Sequence, residues 1–116
     1  MDIPVIVSFL GASASPALRA DIERHAQRLL RFAPGLLACD VTVSRSTQRH
    51  RHGNRYRVHA SARMPGRTIE VECESGPEDI YAAAHDAFDA LRRQLEDHVR
   101  IRRGDTKVHA GQQRLP

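Results

Sequence analysis

The sequence predicts an α+β domain of order β-α-β-β-β-α, a four-stranded sheet with two helices packed on one face and the other face open. Three observations carry that prediction. Apolar residues recur at helical spacing in Leu18, Ile22, Ala26 and Leu29, and again in Ile80, Ala84, Phe88, Leu91, Leu95 and Val99. They alternate with polar ones around Cys39-Val41-Val43, Val58-Ala60-Ala62 and Ile69-Val71-Cys73. Pro65-Gly66 separates the last two alternations and fits the central pair of a type II turn.

Each element has its own local reason. Ile3–Leu10 is a short β-rich run, and Pro4 suits an edge position or a strand start. The stretch "GASASP" breaks it. Ser15 followed by Pro16 is an N-cap with a first-turn proline, so a helix is expected from there to about Phe32, where "APG" ends it. The second strand is expected over Leu37–Arg45, the third over Arg55–Arg63 with Tyr56 on its apolar face, and the fourth over Thr68–Glu74. A two-residue turn at Pro65-Gly66 fixes the register of the last pair. It sets Arg57 opposite Glu74, His59 opposite Glu72 and Ser61 opposite Glu70, with Val58, Ala60 and Ala62 facing Cys73, Val71 and Ile69. "SGPED" then starts the second helix with Pro77 in its first turn and Glu78 and Asp79 at the positive end of its dipole. Arg100, Arg102 and Arg103 close it and Gly104 stops it. Residues 1–104 are therefore read as one domain, and 105–116 as a polar, flexible tail.

At 116 residues the chain suits one modest core, and its 41% hydrophobic and 28% charged fractions are those of a globular protein. No apolar run approaches the ~20 residues of a membrane span, and the start lacks a basic leader with a long apolar stretch, so a cytoplasmic protein is expected. Two cysteines, both inside apolar alternations, read as core thiols in a reducing compartment. The formal charge of +4 points to a polyanionic partner. Lys107 is the only lysine; arginine forks onto phosphate, and it is also what a GC-rich genome supplies.

The densest charge is "RSTQRHRHGNRYR", Arg45 to Arg57, with five arginines, two histidines and no acid. A metal reading would use His50 and His52 with His59. It lacks the ligand pairs a zinc site wants, and every neighbour of the two loop histidines is cationic, so no metal is expected. The same histidines are the nearest approach to an acid/base set. No phosphate-cradling glycine loop or nucleophile motif accompanies them, so no enzyme is expected either. Arg57 is assigned to Glu74, whereas Arg49, Arg51 and Arg55 have no predicted acidic partner. An unpaired basic hairpin tip reads as a phosphate contact rather than a solvated loop. On the first helix Arg24, Arg28 and Arg31 form one stripe away from the core, which by itself is an ordinary solvated face.

Tyr81–Leu95, "YAAAHDAFDALRRQL", together with "SPALRADIERHAQRLLRF" after a short strand, resembles the ribosome hibernation factors, the ribosomal subunit interface proteins. Asp79, Tyr81, Ala82, Ala83, Asp89, Leu91, Arg93, Gln94 and Leu95 match the family's second helix, and Pro16, Ala17, Leu18 and Arg19 its first. The resemblance covers about Ile3–Arg103 and agrees with the element order above.

It implies a non-enzymatic factor that needs no cofactor, lodges in the messenger and transfer RNA channel of the small ribosomal subunit, and blocks translation in stress or stationary phase. Such binding is shape-fitted, with arginines on phosphates and little base readout. Arg28 and Arg93 match the family's basic sites by position, and His25 stands where a lysine is frequent. With the charge patches, the expected RNA-binding set is Arg24, His25, Arg28, Arg31, Arg49, His50, Arg51, His52, Arg55, Arg93, Arg100, Arg102 and Arg103. DNA and membranes are not expected partners. The long form's C-terminal dimerisation domain has no counterpart here, so a monomer is expected. Ala90 replaces a usual lysine, and Glu96 and Asp97 stand where a lysine-rich run is common. A second reading follows from that charge-poor helix: a stress-regulatory protein-interaction module on the same fold that stays out of the decoding channel.

Overall fold

The computed structural model describes residues 2–46, 55–75 and 79–102. The elements run β1 (Val5–Leu10), α1 (Pro16–Arg28), β2 (Ala38–Ser46), β3 (Arg55–Met64), β4 (Arg67–Ser75) and α2 (Ile80–Arg102). A 3-10 turn, Leu29–Arg31, extends α1 almost to the predicted end. The chain is α+β, as expected, with a mixed sheet in the order β1-β2-β3-β4.

Parallel pairing of β1 with β2 requires a crossover, and α1 supplies it. The Ser15 hydroxyl accepts the Leu18 backbone N–H at 3.2 Å, which caps one of the orphan donors of α1, and Pro16 takes the first turn, where no N–H is needed. The Gln27 amide grips the start of the chain, accepting the Ile3 N–H at 3.0 Å and donating to the Ile3 carbonyl at 2.9 Å.

The β3–β4 hairpin has the predicted register throughout, from Tyr56 opposite Ser75 to Met64 opposite Arg67. Gly66, at φ 77°, occupies the left-handed position that this two-residue turn demands and that a side chain would strain. Its inward residues Val58, Ala60, Ala62 and Ile69 are buried, while Val71 and Cys73 pack half-buried at the edge of the core.

Both helices cover that one face. Leu18, Ile22, Ala26 and Leu29 of the first helical segment are buried against it. Predicted Ala84, Phe88, Leu91 and Leu95 of α2 are buried, with Ile80 and Val99 packed alongside. Ala83, Ala87 and His98 join them, widening the predicted stripe. Alanines on this face let a long helix lie close to β3 and β4. α2 starts at Ile80, with Asp79 just before it; Pro77 and Glu78, assigned to its first turn from the sequence, lie outside the described residues. The opposite sheet face is open and carries Asp40, Arg57, His59, Arg63 and the glutamates of β4, with Ile6 and Leu10 exposed on edge strand β1. No helix among the described residues is long and apolar enough to cross a membrane.

Candidate nucleic-acid interface

The helical layer faces outward, and the furrow between α1 and α2 takes in His25 and Arg28 of the predicted residues but none of those predicted on α2. A groove of about 320 Å³ is lined by His25, Arg28, Leu29 and Phe32 from the first helical segment and His85, Phe88, Asp89 and Arg92 from the second. Arg28 therefore faces Arg92 across one groove. Nothing in the local sequence singles out Arg92. Its role depends on Phe32, whose ring lies 5.2 Å below the Arg92 guanidinium, and on Glu96, which its Nη1 reaches at 3.4 Å. Only packing of the two helices creates that cation–aromatic contact.

The other predicted residues fall into three groups. Arg28, Arg31 and Arg93 are exposed and make no ion pair or hydrogen bond among the described residues. Their charge is available to a phosphate. Arg24 donates to Asp21 Oδ1 at 2.9 Å, Arg100 pairs with Asp97 one turn back, and Arg102 donates to the Pro65 carbonyl at 3.3 Å. Exposed pairs of this kind contribute ~0–1 kcal/mol, so a phosphate could displace the acid at little cost. Arg49, His50, Arg51, His52 and Arg103 lie outside the described residues.

Arg55 is a correction to the sequence reading. It opens β3 on the same face as Arg57, and its Nε lies 3.5 Å from Glu74 Oε1. The reach is diagonal across the hairpin, because Glu74 stands opposite Arg57 in the register. Arg57 bonds Glu74 as expected, at 2.9 and 3.3 Å, and also lies 3.2 Å from Glu72. The Arg57 hydrogen bond holds the Glu74 carboxyl below the ordinary carboxylate range. His59 sits opposite Glu72 in register but bonds Glu70 at 2.9 Å, again along a diagonal. The arginines at the start of β3 thus balance β4. Across the described residues arginines and carboxylates nearly balance, so the +4 excess rests largely on Arg49, Arg51, Arg103, Lys107 and Arg114.

His25 is only 15% exposed at its side chain and is turned between the helices. Its Nε2 lies 3.0 Å from His85 Nε2 and 3.6 Å from Asp21 Oδ2, and its ring stacks on Phe88 at 5.5 Å. Burial first, then the His85, Arg28 and Arg24 charges, pushes its pKa below the ordinary histidine value against the pull of Asp21. Among the described residues, Asp21, His25 and His85 form the one trio of metal-capable side chains that converges. Asp21 and His25 sit one helical turn apart, a spacing legible in the sequence, but His85 comes from sixty positions away and only the fold delivers it.

Three comparisons bear on this architecture. The family model described as Sigma 54 modulation protein / S30EA ribosomal protein matches residues 5–103. The N-terminal domain of Protein Y from Thermus thermophilus superposes with a TM-score of 0.68 at 26% identity, over 84% of this chain and 99% of that one. A ribosomal subunit interface protein from Coxiella burnetii gives a TM-score of 0.66 at 22% identity, over 83% of this chain and 97% of that one. No curated protein sequence matches significantly.

Proposed function

The chain belongs to the Sigma 54 modulation protein / S30EA ribosomal protein family, and from that premise we propose that it is a non-enzymatic, cytoplasmic factor that associates with the ribosome. It binds small-subunit rRNA in the channel used by messenger and transfer RNA and inhibits translation under stress or in stationary phase. The observation that carries this reading is the family match over residues 5–103, nearly the whole folded unit. The likeness to a ribosomal subunit interface protein supports it at the level of fold.

The chemistry of the helical layer fits that role. Among the described residues Arg28, Arg31 and Arg93 offer unpaired guanidinium groups, and Arg28 and Arg92 line one groove of the helical layer. Arg24, Arg100 and Arg102 can exchange weak internal partners for phosphates, His25 lines the groove beside Arg28, and Arg55 and Arg103 are further candidate contacts. Arg49, His50, Arg51 and His52 supply a second contact at the hairpin tip. Phosphate contacts of this sort fix position without reading bases, as suits a folded RNA of fixed shape.

Co-sedimentation with purified ribosomes at two salt concentrations tests the proposal. Migration with the small subunit that weakens as salt rises is expected, and Arg28→Glu or a paired Arg49→Glu/Arg51→Glu change should reduce it without unfolding the domain. No binding at low salt would sink the reading. The second reading, a stress-regulatory protein-interaction module outside the decoding channel, is favoured by one observation: the near balance of charge across the described residues. It predicts that any association survives high salt and is indifferent to those charge reversals.

A further inference from the structure

We propose that Asp21, His25 and His85 form a binding site for a first-row divalent transition ion of the zinc class, clamping α1 to α2. The three ligand atoms, Asp21 Oδ2, His25 Nε2 and His85 Nε2, are mutually separated by 3.0, 3.6 and 3.7 Å. Ligands at ~2.0–2.1 Å from a tetrahedral zinc lie roughly 3.3 Å apart, so the observed edges bracket those of a zinc site. Imidazole and carboxylate are ligands zinc accepts, and an i, i+4 pair on one helix with a third ligand from its neighbour is a spacing that converges naturally.

The hydrogen-bond accounting favours an ion over the alternative. Without a metal, one neutral imidazole can donate its Nε2–H to the other at 3.0 Å, which satisfies two of the three atoms. Asp21 Oδ2 then remains buried without a hydrogen-bond partner, because both histidines lie beyond bonding distance. A cation at the centre satisfies all three at once. The surroundings are also those of a supported site. Arg24 holds the other carboxylate oxygen at 2.9 Å and so aims Oδ2 at the histidines, and the Phe88 ring backs His25.

Three protein ligands leave a fourth position. His85 is 56% exposed, and the groove lined by Arg28, Asp89 and Arg92 opens beside it, so water or an anion reaches that position from solvent. The ion ties together the two helices whose arginines are proposed to meet RNA, but the site itself does not depend on that function.

Titration of the full chain with Co²⁺ and Zn²⁺ alone decides the matter. We expect one ion per chain, the visible absorption bands of tetrahedral or five-coordinate Co²⁺, and a rise in melting temperature with Zn²⁺. His85→Ala, at an exposed position where the fold should survive, should abolish the bands and the thermal shift; circular dichroism checks that it has folded. Arg24→Ala should weaken binding about 10-fold while leaving the bands in place, because it removes only the group that orients Asp21. The variant lacking His50, His52 and His109 should bind as the unaltered chain does. Unchanged binding in His85→Ala, binding lost only with the loop and tail histidines, or no binding at millimolar metal would each overturn the site and leave the histidine pair as a hydrogen bond only.

Discussion

At the scale of single residues, burial decides chemistry that the sequence leaves open. Cys39 is fully buried on β2, and its thiol is pushed up to about 12, first by burial and then by the charge of Asp40. It should therefore resist thiol reagents at pH 8 in the folded protein and react at once in denaturant, as a timed thiol assay with and without guanidinium would show. A rapid reaction of Cys39 in the native state would contradict the packing. His98 is buried, and its Nε2 has no hydrogen-bond partner among the described residues. Burial, then the charges of Arg67 and Arg102, lowers its pKa below 6.5. The unfolded chain then binds the proton more readily, so the contribution of His98 to stability is complete above about pH 6.5 and falls as pH drops toward its folded pKa. Urea unfolding at pH 7 and pH 5 should show a smaller loss for His98→Leu than for the unaltered chain.

Elements were legible to the extent that local chemistry fixes them. The Ser15-Pro16 start of α1 could be read directly because one hydroxyl and one fixed φ are enough to set it. Ser15→Ala should cost about 1 kcal/mol of stability by removing that cap, measured by chemical denaturation; a loss near zero would mean the bond to Leu18 is not made in solution. The β3–β4 register was legible because a two-residue turn and a period of two leave one arrangement that buries the apolar side and pairs Arg57 with Glu74. The start of α2 was less legible. Proline and acids are favourable in a first turn; the described helix begins at Ile80, and Pro77 and Glu78 lie outside the described residues. Nothing local could indicate that β1 pairs in parallel with β2, since that pairing joins segments separated by a helix.

For the molecule as a whole, the distribution of charge matters more than its total. The described residues carry nearly balanced charge and the sequence puts most of the excess within 47–54 and 103–116, so a polyanion would be held through a few arginines rather than a broad basic field. The logarithm of ribosome or RNA affinity should fall with the logarithm of salt, and each phosphate-contacting arginine removed should lower that slope by about 1. Arg28→Ala and Arg49→Ala are the informative variants. If neither changes the slope, those residues do not meet phosphate.

The sequence by itself determined the element order, most of the buried stripe of each element and the hairpin register, because these rest on spacing within short segments, and the motifs of its two helices carried the family resemblance. It also marked the candidate cationic residues for RNA. The tertiary structure alone decided how they are used. It turned His25 away from solvent toward His85, gave Arg55 an acid, raised Arg92 to the rim of a groove with Arg28, and left an oxygen of Asp21 facing two histidines. Each of these depends on side chains from different elements meeting at 3 to 4 Å, and the distance between elements is set by packing, which no local pattern records.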